Sequence, residues 1–132
     1  MTAEKHRLQI TVAAEAIDER NHVNNLAYLA WCLQAAESHW KLNASVGLQQ
    51  DYVWVVLQHI IDYKASAFEG ELLEVVTWVE SSKGVRSTRR FEIFRIKDQK
   101  LLVSAKTTWC LLNAKSLRPV KVTDEIRNLF TI

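Results

Sequence analysis

Asp18-Glu19-Arg20-Asn21-His22-Val23-Asn24-Asn25 runs straight into Leu26-Ala27-Tyr28-Leu29-Ala30-Trp31-Cys32-Leu33-Gln34-Ala35-Ala36-Glu37-Ser38-His39-Trp40, and the join between these two halves decides the fold. The first half is made of loop and cap formers. In the second, Leu26, Leu29, Ala30, Leu33, Ala36 and Trp40 recur at the three-and-four spacing of a helix face. Tyr28, Trp31 and Cys32 widen that arc until the first two turns are apolar on nearly every side, which predicts a buried helix. Asn24 or Asn25 suits the N-cap, where a side-chain oxygen takes up a free backbone N–H. Asn43 and Gly47 mark the exit.

Outward from this helix the period changes to two. On the N-terminal side Leu8, Ile10 and Val12 alternate with Arg7, Gln9 and Thr11, a half-buried strand that Ala13 to Glu15 continue weakly. On the C-terminal side Val53 to Phe68, Leu72 to Glu80, Val85 to Ile96 and Leu101 to Leu112 read as strands, separated by the turn-forming stretches Glu69-Gly70-Glu71, Ser81 to Gly84 and Lys97 to Lys100. Leu73, Val75, Thr77 and Val79 share one face, as do Leu101, Val103, Ala105, Thr107, Trp109 and Leu111. A short helix from Thr123 to Phe130 closes the chain, with Thr123 as its cap. Adjacent strands on short connections pair antiparallel. The reading is α+β: a curved antiparallel sheet of about five strands wrapped around one long central helix, in a single domain over 1–132.

The bulk properties narrow the function classes. A chain of 132 residues with 48% hydrophobic content builds one packed core. The net charge is +2 and the basic residues form no run, so nothing points to nucleic acid. Cys32 and Cys110 are far apart, and neither they nor His6, His22, His39 and His59 show ligand spacing; no metal is expected. The polar N-terminus leads to no apolar signal core, and no window has the length of a membrane span. A soluble, cytoplasmic, reduced setting is the expectation.

The segment Asp18-x-x-Asn21-His22-Val23-Asn24-Asn25-x-x-Tyr28-x-x-Trp31 resembles the signature of the hotdog-fold thioesterases. It is similar to the 4-hydroxybenzoyl-CoA thioesterase-like group of acyl-CoA thioesterases, and to the plant-type acyl-ACP thioesterases, which carry a similar His-Val-Asn-Asn. Gly70-Glu71-x-Leu73 with Thr77-Trp78, Lys106-Thr107-Thr108-Trp109 and Arg118-Pro119 extend the likeness over nearly the whole chain. Two positions depart from the pattern. Asn21 stands where the family often has Gly, and Arg20 where the plant enzymes have Asn; Asn21 offers an amide one position later.

The resemblance implies hydrolysis of an acyl-CoA or acyl-ACP thioester to a carboxylic acid and a thiol. It implies Asp18 as the catalytic carboxylate, with His22 and Asn25 beside it to orient water, carbonyl or Asp18 itself. Asp18 can serve as general base or as a nucleophile forming an anhydride. The free N–H groups and positive dipole end of the helix can polarise the thioester carbonyl. Asn24, Tyr28 and Trp31 are the candidate substrate contacts near the reacting carbon. Lys83, Arg86 and Arg118 are the candidates for the phosphates of the thiol carrier, and Glu37 is a second carboxylate of interest. No cofactor is expected beyond the coenzyme A or phosphopantetheine of the substrate. Hotdog proteins pair their sheets, so a homodimer or homotetramer with the site at the interface is implied. A hydratase or dehydratase on the same scaffold, or a non-catalytic acyl-binding module, are the alternatives.

Overall fold

A computed structural model describes residues 2–132. In chain order it contains β1 (His6–Thr11), a 3-10 turn (Ala14–Ala16), α1 (Asn25–Asn43), α2 (Val46–Asp51), β2 (Tyr52–Tyr63), β3 (Leu72–Lys83), β4 (Arg86–Arg95), β5 (Lys100–Asn113) and α3 (Asp124–Asn128). The strands form one sheet in the order β1-β3-β4-β5-β2, every pair antiparallel. Two of the three hairpin connections expected from the sequence are present, β3–β4 and β4–β5. At the first of these turns Gly84 has φ +62°, which a glycine adopts without steric cost. The chain reaches β2 before β3 but places it at the far edge, beside β5, while β1 occupies the other edge.

Register shifts between Val56 and Gln58, Val79 and Ser81, and Ile93 and Phe94 interrupt the ladders. Such bulges bend and twist their strands, which curves the sheet toward the helix. α1 lies chiefly over β3 and β1. The interior face of β3 is the one the alternation predicts: Leu73, Val75 and Thr77 are fully buried. So are Val103 and Leu111 of β5, with Ala105 and Thr107 nearly so.

The face that α1 buries differs from the expected one. Tyr28, Cys32, Ala35, Ala36 and His39 point at the sheet, whereas Leu26 is 73% exposed. Small residues at 35 and 36 let the helix approach the strands closely, and large aliphatics on the other side stay outside this chain's core. Towards its C-terminal end Trp40 joins a second cluster made by Leu111, Val122, Ile126 and Phe130, so α3 packs over that end of the sheet. Three boundaries also moved. Ala14–Ala16 is a 3-10 turn and not a strand, β2 stops at Tyr63, and Val46–Asp51 forms a short helix capped by Ser45, whose Oγ accepts from Leu48 N–H at 3.1 Å.

Candidate active site

The loop before α1 is tied at its base and turned at its tip. Ile17 pairs with Val23, and Asp18 N–H donates to His22 C=O at 2.9 Å. Asn21 N–H donates back to Asp18 C=O at 3.1 Å, closing a tight turn in which Asn21 has φ +64°. Asparagine tolerates that left-handed conformation better than most residues, so the amide at this position suits the turn as well as any contact. Val23 N–H donates to Ala67 C=O and Asn24 N–H to Ala16 C=O, which anchors the loop between the β2–β3 connection and the 3-10 turn.

Asp18 is half-buried at the root of this turn. Its Oδ1 accepts from the N–H groups of Arg20 (2.9 Å) and His22 (3.3 Å). These bonds fix the carboxylate's orientation and leave Oδ2 without a partner among the described residues. His22 is exposed, with its ring edge-on to Phe68 at 5.5 Å. The imidazole therefore stands beside the carboxylate through the backbone and makes no side-chain bond to it.

The helix start is more selective than the sequence suggests. Asn24 is the N-cap: its Oδ1 accepts from Leu26 N–H at 2.8 Å, and its C=O accepts from Ala27 N–H at 2.9 Å. The second and third helical N–H groups are thus engaged. The N–H of Asn25, the first helical residue, has no partner among the described residues. A carbonyl polarised by the helix would meet this single donor and the dipole, and not a row of free amides.

The remaining candidates separate into two groups. Tyr28 is a core residue in this chain, 2% exposed, and its hydroxyl oxygen accepts from Ala67 N–H at 2.8 Å. Trp31 is half-buried and packs edge-on against Tyr28. Both pack in the core cluster that includes Val23 of the loop. Lys83, Arg86 and Arg118 are exposed at the opposite end of the sheet, where the β3–β4 turn meets the segment before α3. The twelve residues of β3 lie between the two groups, roughly 40 Å at a strand's rise per residue. One chain does not bring them together. Cys32 is buried and burial pushes its thiol up to about 12, so it is inert; Cys110 is buried too. Glu37 is an exposed helix charge paired with Lys41 at 2.7 Å. No group of residues among those described could hold a metal ion, and no helix is long and apolar enough to cross a membrane.

A second polar cluster was not legible in the sequence. His39, completely buried, lies between Glu4 and Arg89: its Nε2 is 2.7 Å from Glu4 Oε1 and its Nδ1 is 2.9 Å from Arg89 Nη1. A guanidinium only donates, so Nδ1 is the acceptor and the ring proton sits on Nε2, donating to Glu4. Burial pushes the imidazole down to about 4, partly offset by the Glu4 hydrogen bond. The bonds from His39 and Asn43 hold the Glu4 carboxyl below its ordinary range. His6 stacks on His39 at 4.9 Å. A cavity of about 490 Å³ opens beside Arg89, lined by Trp40, Trp54, Trp109 and Phe130 among others. A second surface recess lies between Glu69 and Lys97. Neither is lined by Asp18, His22 or Asn25.

Comparison with known proteins agrees with this architecture. The family model described as the acyl-ACP thioesterase N-terminal domain matches residues 3–130. A chloroplastic acyl-(acyl-carrier-protein) hydrolase of Cuphea viscosissima is 30% identical over 79 residues, 60% of this chain and 19% of the relative. The chain therefore spans only about a fifth of the length of that relative. The solved structure of a putative oleoyl thioesterase from Lactobacillus plantarum superposes with a TM-score of 0.88 at 18% identity, covering 97% of this chain and 51% of that one. Slr0204, a 1,4-dihydroxy-2-naphthoyl-CoA thioesterase from Synechocystis, superposes with a TM-score of 0.83 at 19% identity over 95% and 94% of the two chains. The fold is the hotdog fold that the signature segment implies.

Proposed function

Because this chain belongs to the acyl-ACP thioesterase family, we propose that it hydrolyses an acyl thioester to a carboxylic acid and a thiol, with Asp18 as its catalytic carboxylate. One observation carries the reading. Among the described residues, the loop spends its own N–H groups on Oδ1 of Asp18 and leaves Oδ2 without a partner, while at the tip of the adjoining helix the N–H of Asn25 is unspent. A carboxylate and an N–H donor at a helix tip are the two parts that thioester hydrolysis needs. The carboxylate activates water or attacks the carbonyl carbon itself. The donor and the dipole stabilise the oxyanion that develops at the carbonyl oxygen. The C–S bond then breaks and the thiol leaves with a proton taken from the attacking water or from solvent; where the carboxylate attacks, water then hydrolyses the anhydride to the free acid and restores Asp18. His22, exposed next to the turn, orients the water or the carbonyl. The thiol carrier is coenzyme A or the phosphopantetheine arm of an acyl carrier protein; both present the same thioester on the same arm.

A second copy of the chain completes the site. β2 is an edge strand, and Val55, Val56, Leu57, Ile60 and Tyr63 along it are exposed, as is Leu26 of α1. Free strand edges and apolar surface of this kind favour pairing. A two-fold axis beside β2 would set the partner's sheet antiparallel to this one and turn it end for end. The partner's Lys83–Arg86 turn and its Arg118 would then lie toward this chain's Asp18 loop, which supports their assignment to the phosphates of the carrier. The same pairing would cover the loop, which in one chain faces solvent.

The test is a thiol-release screen over saturated, aromatic and enoyl thioesters, each carried on coenzyme A and on acyl carrier protein. Release of free thiol with the corresponding acid is the expected result. Hydration of the enoyl thioesters without thiol release would assign a hydratase instead, and binding without turnover a non-catalytic module.

A further inference from the structure

We propose that the cavity beside Arg89 is a binding site for a carboxylate carried on an apolar body, with the guanidinium of Arg89 and the indole N–H of Trp109 as its donors. The proposal goes beyond the hydrolase reading, since binding at this site needs no turnover.

The site is built from three observations. Arg89 is buried, 6% exposed, yet its side-chain partners among the described residues are His39 and Thr77 and no carboxylate. Its Nη1 donates to His39 Nδ1 at 2.9 Å and to Thr77 Oγ1 at 3.1 Å. Its Nε and Nη2 make no hydrogen bond among the described residues. That edge is the fork by which a guanidinium grips a carboxylate with two parallel bonds. Second, Trp109 Nε1 is buried and has no acceptor among the described residues, an uncommon state for an indole N–H. Third, both residues line the same cavity, whose other walls include the rings of Trp40, Trp54 and Phe130. The cavity thus offers a buried guanidinium and an indole N–H beside aromatic rings; the other cation on its wall, Lys41, is exposed and paired with Glu37.

Arg89 is also held in place in advance. Glu4, the nearest acid in its chain of bonds, is on the far side of His39 and balances the charge only through a neutral ring. The guanidinium packs 5.4 Å from the Phe130 ring centre, which fixes its plane. Glu37 reaches the cavity wall, but it is exposed and already paired with Lys41, so it does not neutralise Arg89. Burial draws the Arg89 guanidinium down to about 10, still charged at neutral pH, which is what a buried cation without a counter-ion shows. A ligand carboxylate would supply both the missing charge and the missing acceptors.

A carboxylate on an apolar body has two sources in a thioester hydrolase. It is the free acid released by the reaction, or it is a second carboxyl group at the far end of the acyl chain. Calorimetric titration of the full chain with octanoate and with octan-1-ol isolates the carboxylate from the apolar body. Octanoate is expected to bind roughly tenfold or more tightly than the alcohol, the range for hydrogen bonds to charged groups. Arg89→Met is expected to abolish that preference while the alcohol still binds and the circular dichroism is unchanged. Trp109→Phe keeps the ring and the fold; it is expected to weaken octanoate several-fold and leave the alcohol alone. The proposal is overturned if wild type binds both compounds alike or neither, or if the preference survives in Arg89→Met. Should that variant not fold, an unchanged octanoate affinity in Trp109→Phe overturns it. Hydrolysis of octanoyl-CoA and of its ω-carboxylated counterpart then separates the sources. A kcat/KM in favour of the ω-carboxylated thioester assigns the acyl chain; preference for octanoyl-CoA with inhibition by octanoate assigns the product. If neither thioester is cleaved, the hydrolase reading fails while octanoate binding still decides this one.

Discussion

Lowering the pH from 7 to 5 should destabilise this fold through His39. The imidazole is completely buried and held neutral, at about 4 against an ordinary 6.5. In the unfolded chain the ring takes up a proton once the pH falls below 6.5; in the folded chain it does so only near 4. The neutral ring's contribution is therefore fully present above 6.5 and is lost as the pH falls to about 4. Between pH 7 and pH 5 the loss works out at about 2 kcal/mol, and at its limit on the order of 3 kcal/mol. His6 is lowered as well, by burial and by the Arg89 charge, and His59 is lowered by burial, so both add a remnant of the same sign. Glu4, lowered chiefly by the His39 hydrogen bond, contributes stability above its ordinary 4.5 that is lost only at lower pH, outside this window. Urea unfolding at pH 7, 6 and 5 reads the slope directly. His39→Gln keeps a polar side chain of similar size but cannot titrate, so it should be less stable at pH 7 and should lose most of the slope. A wild-type stability that is flat from pH 7 to pH 5, or a slope undiminished in His39→Gln, would refute the assignment of a neutral buried ring.

Two other outcomes follow from the packing and the edges. Tyr28→Phe leaves the buried Ala67 N–H without its acceptor and should cost about 1–3 kcal/mol in chemical unfolding; a change near zero would mean that the β2–β3 connection is held otherwise. Ile60→Lys places a charge on the exposed edge strand β2 and should shift the proposed dimer to monomer in light scattering while its circular dichroism is kept; a dimer unaffected by this change and by Leu57→Lys would move the interface elsewhere.

How far the sequence reached depended on whether a signal was local. The cap of α1, expected at Asn24 or Asn25 and found at Asn24, the alternation of β3 and the cap at Thr123 are settled within a few residues. The face of α1 was not settled locally. Leu26, Leu33 and Trp40 are as apolar as Tyr28, Cys32 and Ala35, so the stripe alone does not say which side meets the strands. The helix turned its small residues inward because they fit the close approach to β3. A similar limit applies at the exit of α1: Asn43 ends the helix as expected, whereas Gly47 lies within a further short helix that Ser45 caps. The motif from Asp18 to Asn25 drew attention to the loop, but only the coordinates show that Asn24 consumes two of the helix's donors. His39 carries no local sign of its buried role. Its partners Glu4 and Arg89 are 35 and 50 residues away in sequence, and pairings over such distances leave no periodic trace. The apolar cavity with its cation, built from α1, the strands and α3, was invisible for the same reason.

The most direct test is the turnover of Asp18→Asn on the best thioester from the screen. Asparagine keeps the shape and the acceptor oxygen that holds the Arg20 and His22 N–H groups, so the turn and the assembly should persist in circular dichroism and light scattering. Losing the carboxylate's charge should lower kcat by roughly 10²–10⁴-fold, the share a positioned proton acceptor supplies. A folded Asp18→Asn protein that releases thiol at the wild-type rate would contradict the account.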